Sequence, residues 1–200
     1  MRSILLSGFL TAALAGCVLL SGCTITTHER GNANGESKNA GEKDVDIRTP
    51  LGSLSIRKGA SDPKETGLSL YPGAQLKKST DTDDSSANVN ISSSLFGMKL
   101  VVLKYQTADP PEKVLGFYRK EMAHYGNVVN CKGGFTMNFH RHDRDSEVSC
   151  EGHNGSDHDY KEELKVGTEN NQRIVAVKPS GNGSEFVMLY VRARDEKDTM

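Results

Sequence analysis

The chain has no tryptophan, and aromatic residues make up only 6% of its 200 positions. That is little stacking surface for a carbohydrate platform, since sugar and base recognition lean on exposed aromatic faces. Charge is not biased toward either sign. The formal net charge is −1 and no block of five like charges occurs. Nucleic acid as a partner is therefore not expected, because it requires a basic excess or stripe, and no polybasic membrane patch is present. Catalytic signatures are missing as well: there is no G-x-S-x-G, no H-E-x-x-H and no Walker loop. The aspartates Asp81, Asp83 and Asp84 suggest a calcium loop, but the glycine and glutamate such a loop needs at its sixth and twelfth places are Ser86 and Ser92 here. Cysteine is scarce, with four in all, and no C-x-x-C exists for redox chemistry.

Among the features that are present, the N-terminus is the most informative. Arg2 is followed by an uncharged apolar and small-residue stretch from Ile4 to Leu20. It is too short and too rich in Ala, Gly and Ser to favour a permanent span, and it ends on small residues as a cleavable leader does. Two quartets, Leu14-Ala15-Gly16-Cys17 and Leu20-Ser21-Gly22-Cys23, resemble the lipobox of bacterial lipoproteins. The resemblance implies that a diacylglyceryl group is attached to the cysteine thiol and that cleavage leaves the cysteine as the first mature residue. Cys23 is preferred over Cys17. Cleavage at Cys17 would leave Val18-Leu19-Leu20 exposed beside the lipid, whereas Cys23 leads directly into polar chain. At about 0.8 kcal/mol per buried methylene, two or three acyl chains make a lasting anchor.

Several expectations follow from this class. The protein belongs to a prokaryotic envelope, bound to a membrane through its N-terminal lipid. In that class an aspartate after the cysteine tends to hold the protein at the inner membrane. Thr24 occupies the position here, so in a diderm host the outer membrane, facing the periplasm, is the expected address.

The division expected along the chain is a leader over 1–22, a flexible tether over 23–43, one domain over 44–195 and a disordered tail over 196–200. Removal of the leader takes away Arg2, its only charged residue, and lowers the net charge by one. The tether reads TITTHERGNANGESKNAGEK, polar and without apolar period. About 20 such residues reach roughly 25 Å and would hold the domain off the membrane. Cys131 and Cys150 form an even pair in the mature chain, most simply a disulfide in an oxidising compartment.

The domain pattern predicts an α+β fold, a mostly antiparallel sheet with one amphipathic helix over about 110–125 packed on it. Val45 and Ile47, then Leu54 and Ile56, alternate with polar residues around Thr49-Pro50-Leu51-Gly52, which reads as a hairpin. The segments around Met98–Tyr105 and Phe186–Val191 are apolar on both faces and read as central strands. Further strands are predicted over 127–132, 135–141, 147–151, Glu163–Thr168 and Arg173–Pro179. For the helix, Asp109 is the expected cap, Pro110 the first helical residue and Glu112 the third member of a capping box. Val114, Tyr118, Met122 and Tyr125 recur on one face, and Gly126 is the stop. The succession of Tyr71-Pro72-Gly73-Ala74, a strand ending Tyr105-Gln106-Thr107, and a capped helix containing Phe117-Tyr118 resembles a group of secreted bacterial proteins. It bears on the fold and implies no activity.

One constellation invites chemistry. Asn138–Asp145 and Gly152–Tyr160 hold His140, His142, Asp143, Asp145, His153, Asp157, His158 and Asp159. Two imidazoles and a carboxylate can hold a zinc ion that activates water, so a metal-binding protein or metal-dependent hydrolase using segment 140–159 is the alternative reading. The HRHDRD run does not fit the H-x-H-x-D-H pattern of metallo-β-lactamase-like enzymes, because its carboxylate and final histidine are out of register. If the strand predicted over 135–141 continues, Arg144 shares the solvent face with His140 and His142, and its charge opposes a dication. The expectation is accordingly no catalytic residue, no metal site and no cofactor. The primary reading is a membrane-anchored, non-enzymatic binding or structural module whose partner is an unidentified envelope protein or ligand.

Overall fold

A computed structural model of the chain describes residues 23–29, 43–58, 62–78, 86–132, 145–150 and 160–195. The fold is α+β, a mostly antiparallel sheet with a single α-helix packed on it. The strands are β1 (Thr24–Glu29), β2 (Lys43–Thr49), β3 (Gly52–Lys58), β4 (Gln75–Leu76), β5 (Ser86–Ser93), β6 (Phe96–Thr107), β7 (Val129–Lys132), β8 (Glu162–Thr168), β9 (Asn171–Ser180) and β10 (Gly183–Asp195). They pair in the order β1-β2-β3-β5-β6-β10-β9-β8-β7, and β4 pairs with β6 beyond the end of β5.

The two segments apolar on both faces are β6 and β10, neighbours at the middle of this order over twelve paired positions from Ser184–Thr107 to Asp195–Phe96. Period-two alternation divides their side chains between two apolar layers. On the helix face, Val101, Leu103, Tyr105, Phe186 and Met188 meet Leu164, Val166, Val175 and Val177 of β8 and β9. On the opposite face, Val187, Leu189 and Val191 join Ile174, Ala176 and Tyr160, with Leu100 and Val102 against them.

Helix α1 (Pro111–Met122) crosses β10, β9 and β8. Val114, Leu115, Tyr118 and Met122 are buried beneath it, each contributing about 1.5–3 kcal/mol of transfer free energy. Its start differs from the sequence expectation by one residue. Pro110, not Asp109, is the N-cap, with ψ at 158°, and it makes no side-chain cap hydrogen bond. The cause is the second proline: a residue preceding proline is driven out of the α region, so Pro110 stays extended and Pro111 takes the first turn. The far end tightens into a 3₁₀ turn over Ala123–Tyr125. That turn rotates Tyr125 out of the expected core face, leaving it 39% exposed.

A second difference concerns the expected tether. Thr24–Glu29, its first part, form β1 and pair antiparallel with β2 from Thr24–Arg48 to Glu29–Lys43. Thr24, Ile25, Thr26 and Thr27 are β-branched, and that local preference for extended backbone prevails over the polar composition. The rest of the expected tether, 30–42, lies outside the described residues, as do the leader 1–22, the tail 196–200 and the predicted strand 135–141. Within predicted strand 147–151, Glu147 makes an isolated bridge to Thr168.

Candidate functional site

Cys23 immediately precedes β1, is exposed and forms no disulfide. Cys17 lies outside the described residues. Cys131 and Cys150 are joined as expected, with an S–S distance of 2.04 Å and a Cα–Cα distance of 5.4 Å. The bond links β7, at one edge of the sheet, to segment 145–150. That segment is also held by the Val148 amide donating to the Gly167 carbonyl and the Glu169 amide donating to the Ser146 carbonyl. Gly167 allows this crossing at the β8–β9 turn. Its φ is +107°, and a Cβ there would stand 2.1 Å from the Asn171 carbonyl oxygen.

Of the histidine- and aspartate-rich constellation, only Asp145 falls among the described residues, and it is exposed. His140, His142, Asp143, His153, Asp157, His158 and Asp159 lie outside them. Among the described residues no group of three His, Cys, Asp or Glu side chains is placed to share a metal ion.

The polar clusters that are described join elements of the fold. The buried Tyr71 ring packs edge-on against Phe117 and Phe186, and its hydroxyl donates to Asp109 Oδ2 at 2.9 Å. Lys113 Nζ donates to Asp109 Oδ1 at 2.7 Å. Hydrogen bonds from Lys113 and Tyr71 hold the Asp109 carboxyl below the usual carboxylate range. Burial, reinforced by Asp109, raises the Tyr71 phenol. Deeper in, the Tyr118 hydroxyl accepts from the Tyr71 amide at 3.1 Å and donates to Met188 Sδ at 3.3 Å. Desolvation raises this phenol far above its ordinary value.

On the opposite face, the buried Glu185 accepts from Lys77 Nζ at 3.1 Å and Tyr160 Oη at 3.0 Å, with Lys178 Nζ at 3.6 Å. Lys165 and Glu163 form a second pair, 3.0 Å apart and fully buried. Sequence reasoning passed over both. Their only trace is a charged residue at an inward position of an otherwise apolar strand, in Glu163-Leu164-Lys165 and Glu185-Phe186-Val187.

A surface depression of about 520 Å³ lies along Asp62–Leu70. It is shaped by a 3₁₀ turn over Pro63–Thr66 that Asp62 caps by accepting from the Lys64 amide and Gly67 ends at φ 77°. Arg173 Nε donates to the Thr66 carbonyl at 2.9 Å, its guanidinium 3.7 Å from the Tyr125 ring centroid. The Tyr125 hydroxyl donates to the Gly67 carbonyl. These contacts fasten the turn to the sheet.

No protein-family model matches the chain, and neither a curated protein nor a solved structure matches it.

Proposed function

We propose that this chain is a lipid-anchored lipoprotein of the bacterial envelope whose folded part serves as a non-enzymatic binding or structural module. The observation that carries the reading is Leu20-Ser21-Gly22-Cys23 at the close of an uncharged apolar leader. It is supported by the exposure of Cys23 outside any disulfide and by the Cys131–Cys150 bond, which suits an oxidising compartment. The described polar clusters favour a module over an enzyme. Asp109, Glu185 and Arg173 each hold two or more elements together, an architectural use of their charge. Among the described residues no helix is long and apolar enough to cross a membrane.

The test is metabolic labelling of producing cells with an alkyne-bearing fatty acid. Label is expected on the wild-type chain and on Cys17→Ala, and its loss on Cys23→Ala. Retention of label by Cys23→Ala would overturn the assignment.

A further inference from the structure

The pairing register gathers one end of the sheet into a rim. Thr24, at the start of β1, faces Arg48; Thr49 faces Gly52 across the Pro50-Leu51 turn; Gly52 faces Ser93; and Phe96, after the Ser94-Leu95 turn, faces Asp195. Cys23 therefore lies at the same end as the β2–β3 and β5–β6 turns. Four of the most exposed large apolar residues are at this end or next to it: Leu51 at 84%, Ile25 at 66%, Leu95 at 64% and Phe96 at 41%. A single exposed leucine on a hairpin is ordinary. Here, however, both turns of one edge and the neighbouring strand present apolar side chains together. From β1 to β6 the rim spans four interstrand gaps, about 19 Å.

The composition of the rim fits a bilayer surface. Its turns are Thr49-Pro50-Leu51-Gly52 and Ser92-Ser93-Ser94-Leu95-Phe96, which contain no acid; Asp195 is the acidic residue among the strand ends there. One residue inward, Arg48, Ser53, Ser92, Gly97 and Arg194 form a cross-strand row on one face. Arg48, Arg192 and Arg194 are all exposed. Arg194 lies along Gly97, with Nε 3.8 Å from where a Cβ would be. With a rise of about 3.4 Å per residue, Arg48 and Arg194 sit one layer behind the apolar tips, and Arg192, paired with Lys99 and Asn171, lies two residues further in on the same face. Such a spacing places apolar groups at the acyl boundary and cations at the phosphates.

We infer that this rim is a membrane-docking surface, which inserts Leu51, Leu95 and Phe96 into the interface of an anionic phospholipid bilayer while Arg48 and Arg194 contact headgroup phosphates. The orientation rests on the proposed anchor: an acyl chain on Cys23, with β1 beginning at the next residue, sets this end of the sheet against the lipid. The domain then stands on the membrane by its turns, with its strands directed away from the surface.

The lack of native tryptophan makes single-reporter experiments direct. The full chain, extracted from producing cells, is reconstituted into vesicles of phosphatidylcholine and phosphatidylglycerol brominated on the acyl chains. Leu51→Trp and Leu95→Trp are rim reporters; Asn182→Trp, in the β9–β10 turn at the far end of β10, is the control. Quenching severalfold greater at both rim positions than at Asn182→Trp is expected. Equal quenching at all three, or none at the rim, would overturn the inference. Replacing Leu51, exposed in a turn, removes little packing, so this reporter still decides the matter should Leu95→Trp fold poorly. Intact mass of the same samples reports acylation separately. An acylated chain with an unquenched rim overturns the docking surface alone. A chain lacking lipid whose rim is quenched overturns the anchor alone.

Discussion

Tyr71 and Asp109 meet across 38 residues of sequence: the phenol of the YPGA turn donates to a carboxylate at the threshold of α1, and Lys113 holds the other oxygen of that carboxylate. Asp109 is the ionised hub, and its carboxyl is held below the usual range first by Lys113 and then by Tyr71. A depressed carboxyl adds stability that is full above its unfolded value, near 3.9, and is lost as pH falls through the lower folded value. Wild type should accordingly exceed Asp109→Asn in urea midpoint at neutral pH, and the gap should close in acid. A gap that stays constant down to the acid transition would contradict the ionic role.

The alkaline limb has a separate origin. Tyr71, Tyr105 and Tyr118 are raised chiefly by burial, Tyr118 most of all. Raised phenols contribute stability that is full below their unfolded value, near 10, and is lost as pH rises above it. Tyr71, Tyr105 and Tyr118 are expected to ionise above the ordinary phenol range and together with loss of near-ultraviolet dichroism. Their ionisation with the dichroism intact would show that these rings reach solvent.

Phe186 lies between Tyr105 and Tyr118, with centroids 5.6 Å away in each case, and 6.2 Å from Tyr71. Phe186→Ala opens a cavity among rings fixed by both strands and helix, and a loss of about 3–5 kcal/mol is expected. Tyr118→Phe is a milder probe. It preserves the ring but leaves the buried Tyr71 amide without its acceptor, which costs about 1–3 kcal/mol. Equilibrium urea unfolding of both variants reads these losses, and values below about 1 kcal/mol for Phe186→Ala would contradict the packing described.

The Cys131–Cys150 bond closes a 19-residue separation. In the chain-entropy account, a loop of that size is worth about 3 kcal/mol through the unfolded state. The Cys131→Ala/Cys150→Ala variant should lose about that much unfolding free energy, read as a lower urea midpoint. Non-reducing intact mass of the wild-type chain should fall two hydrogens short of the dithiol. Two thiols open to alkylation in native protein would refute the bond.

The parts of the fold that local pattern encodes were legible in the sequence. Residues Met98–Tyr105 and Phe186–Val191 read as central strands because neither face is polar, and they occupy the middle of the sheet. Val114, Tyr118 and Met122 gave the helix by spacing, and cysteine parity gave the disulfide. Non-local features were harder to read. No local pattern shows that β6 runs beside β10, a choice made by the complementarity of two distant apolar segments. The double proline displaced the cap through a backbone clash that residue preferences for capping do not register. Strand β1 was hidden by the Gly- and Asn-rich chain after it, and only pairing with β2 gives its short TITT run a purpose. The rim depends on register, which sets Leu51, Leu95 and Cys23 at one end of the sheet though the sequence separates them widely. As for the sites, Cys23 was visible as a motif, whereas the contacts of Glu185 and Lys165 required three dimensions.

The central claim is that Cys23 is the acylated first residue of the mature protein, and the intact mass of chain solubilised from host membranes tests it most directly. The expected species begins at Cys23 and carries a diacylglyceryl group, with or without a further acyl chain on its amine. A mature chain beginning elsewhere, or one beginning at Cys23 with an unmodified thiol, would contradict it.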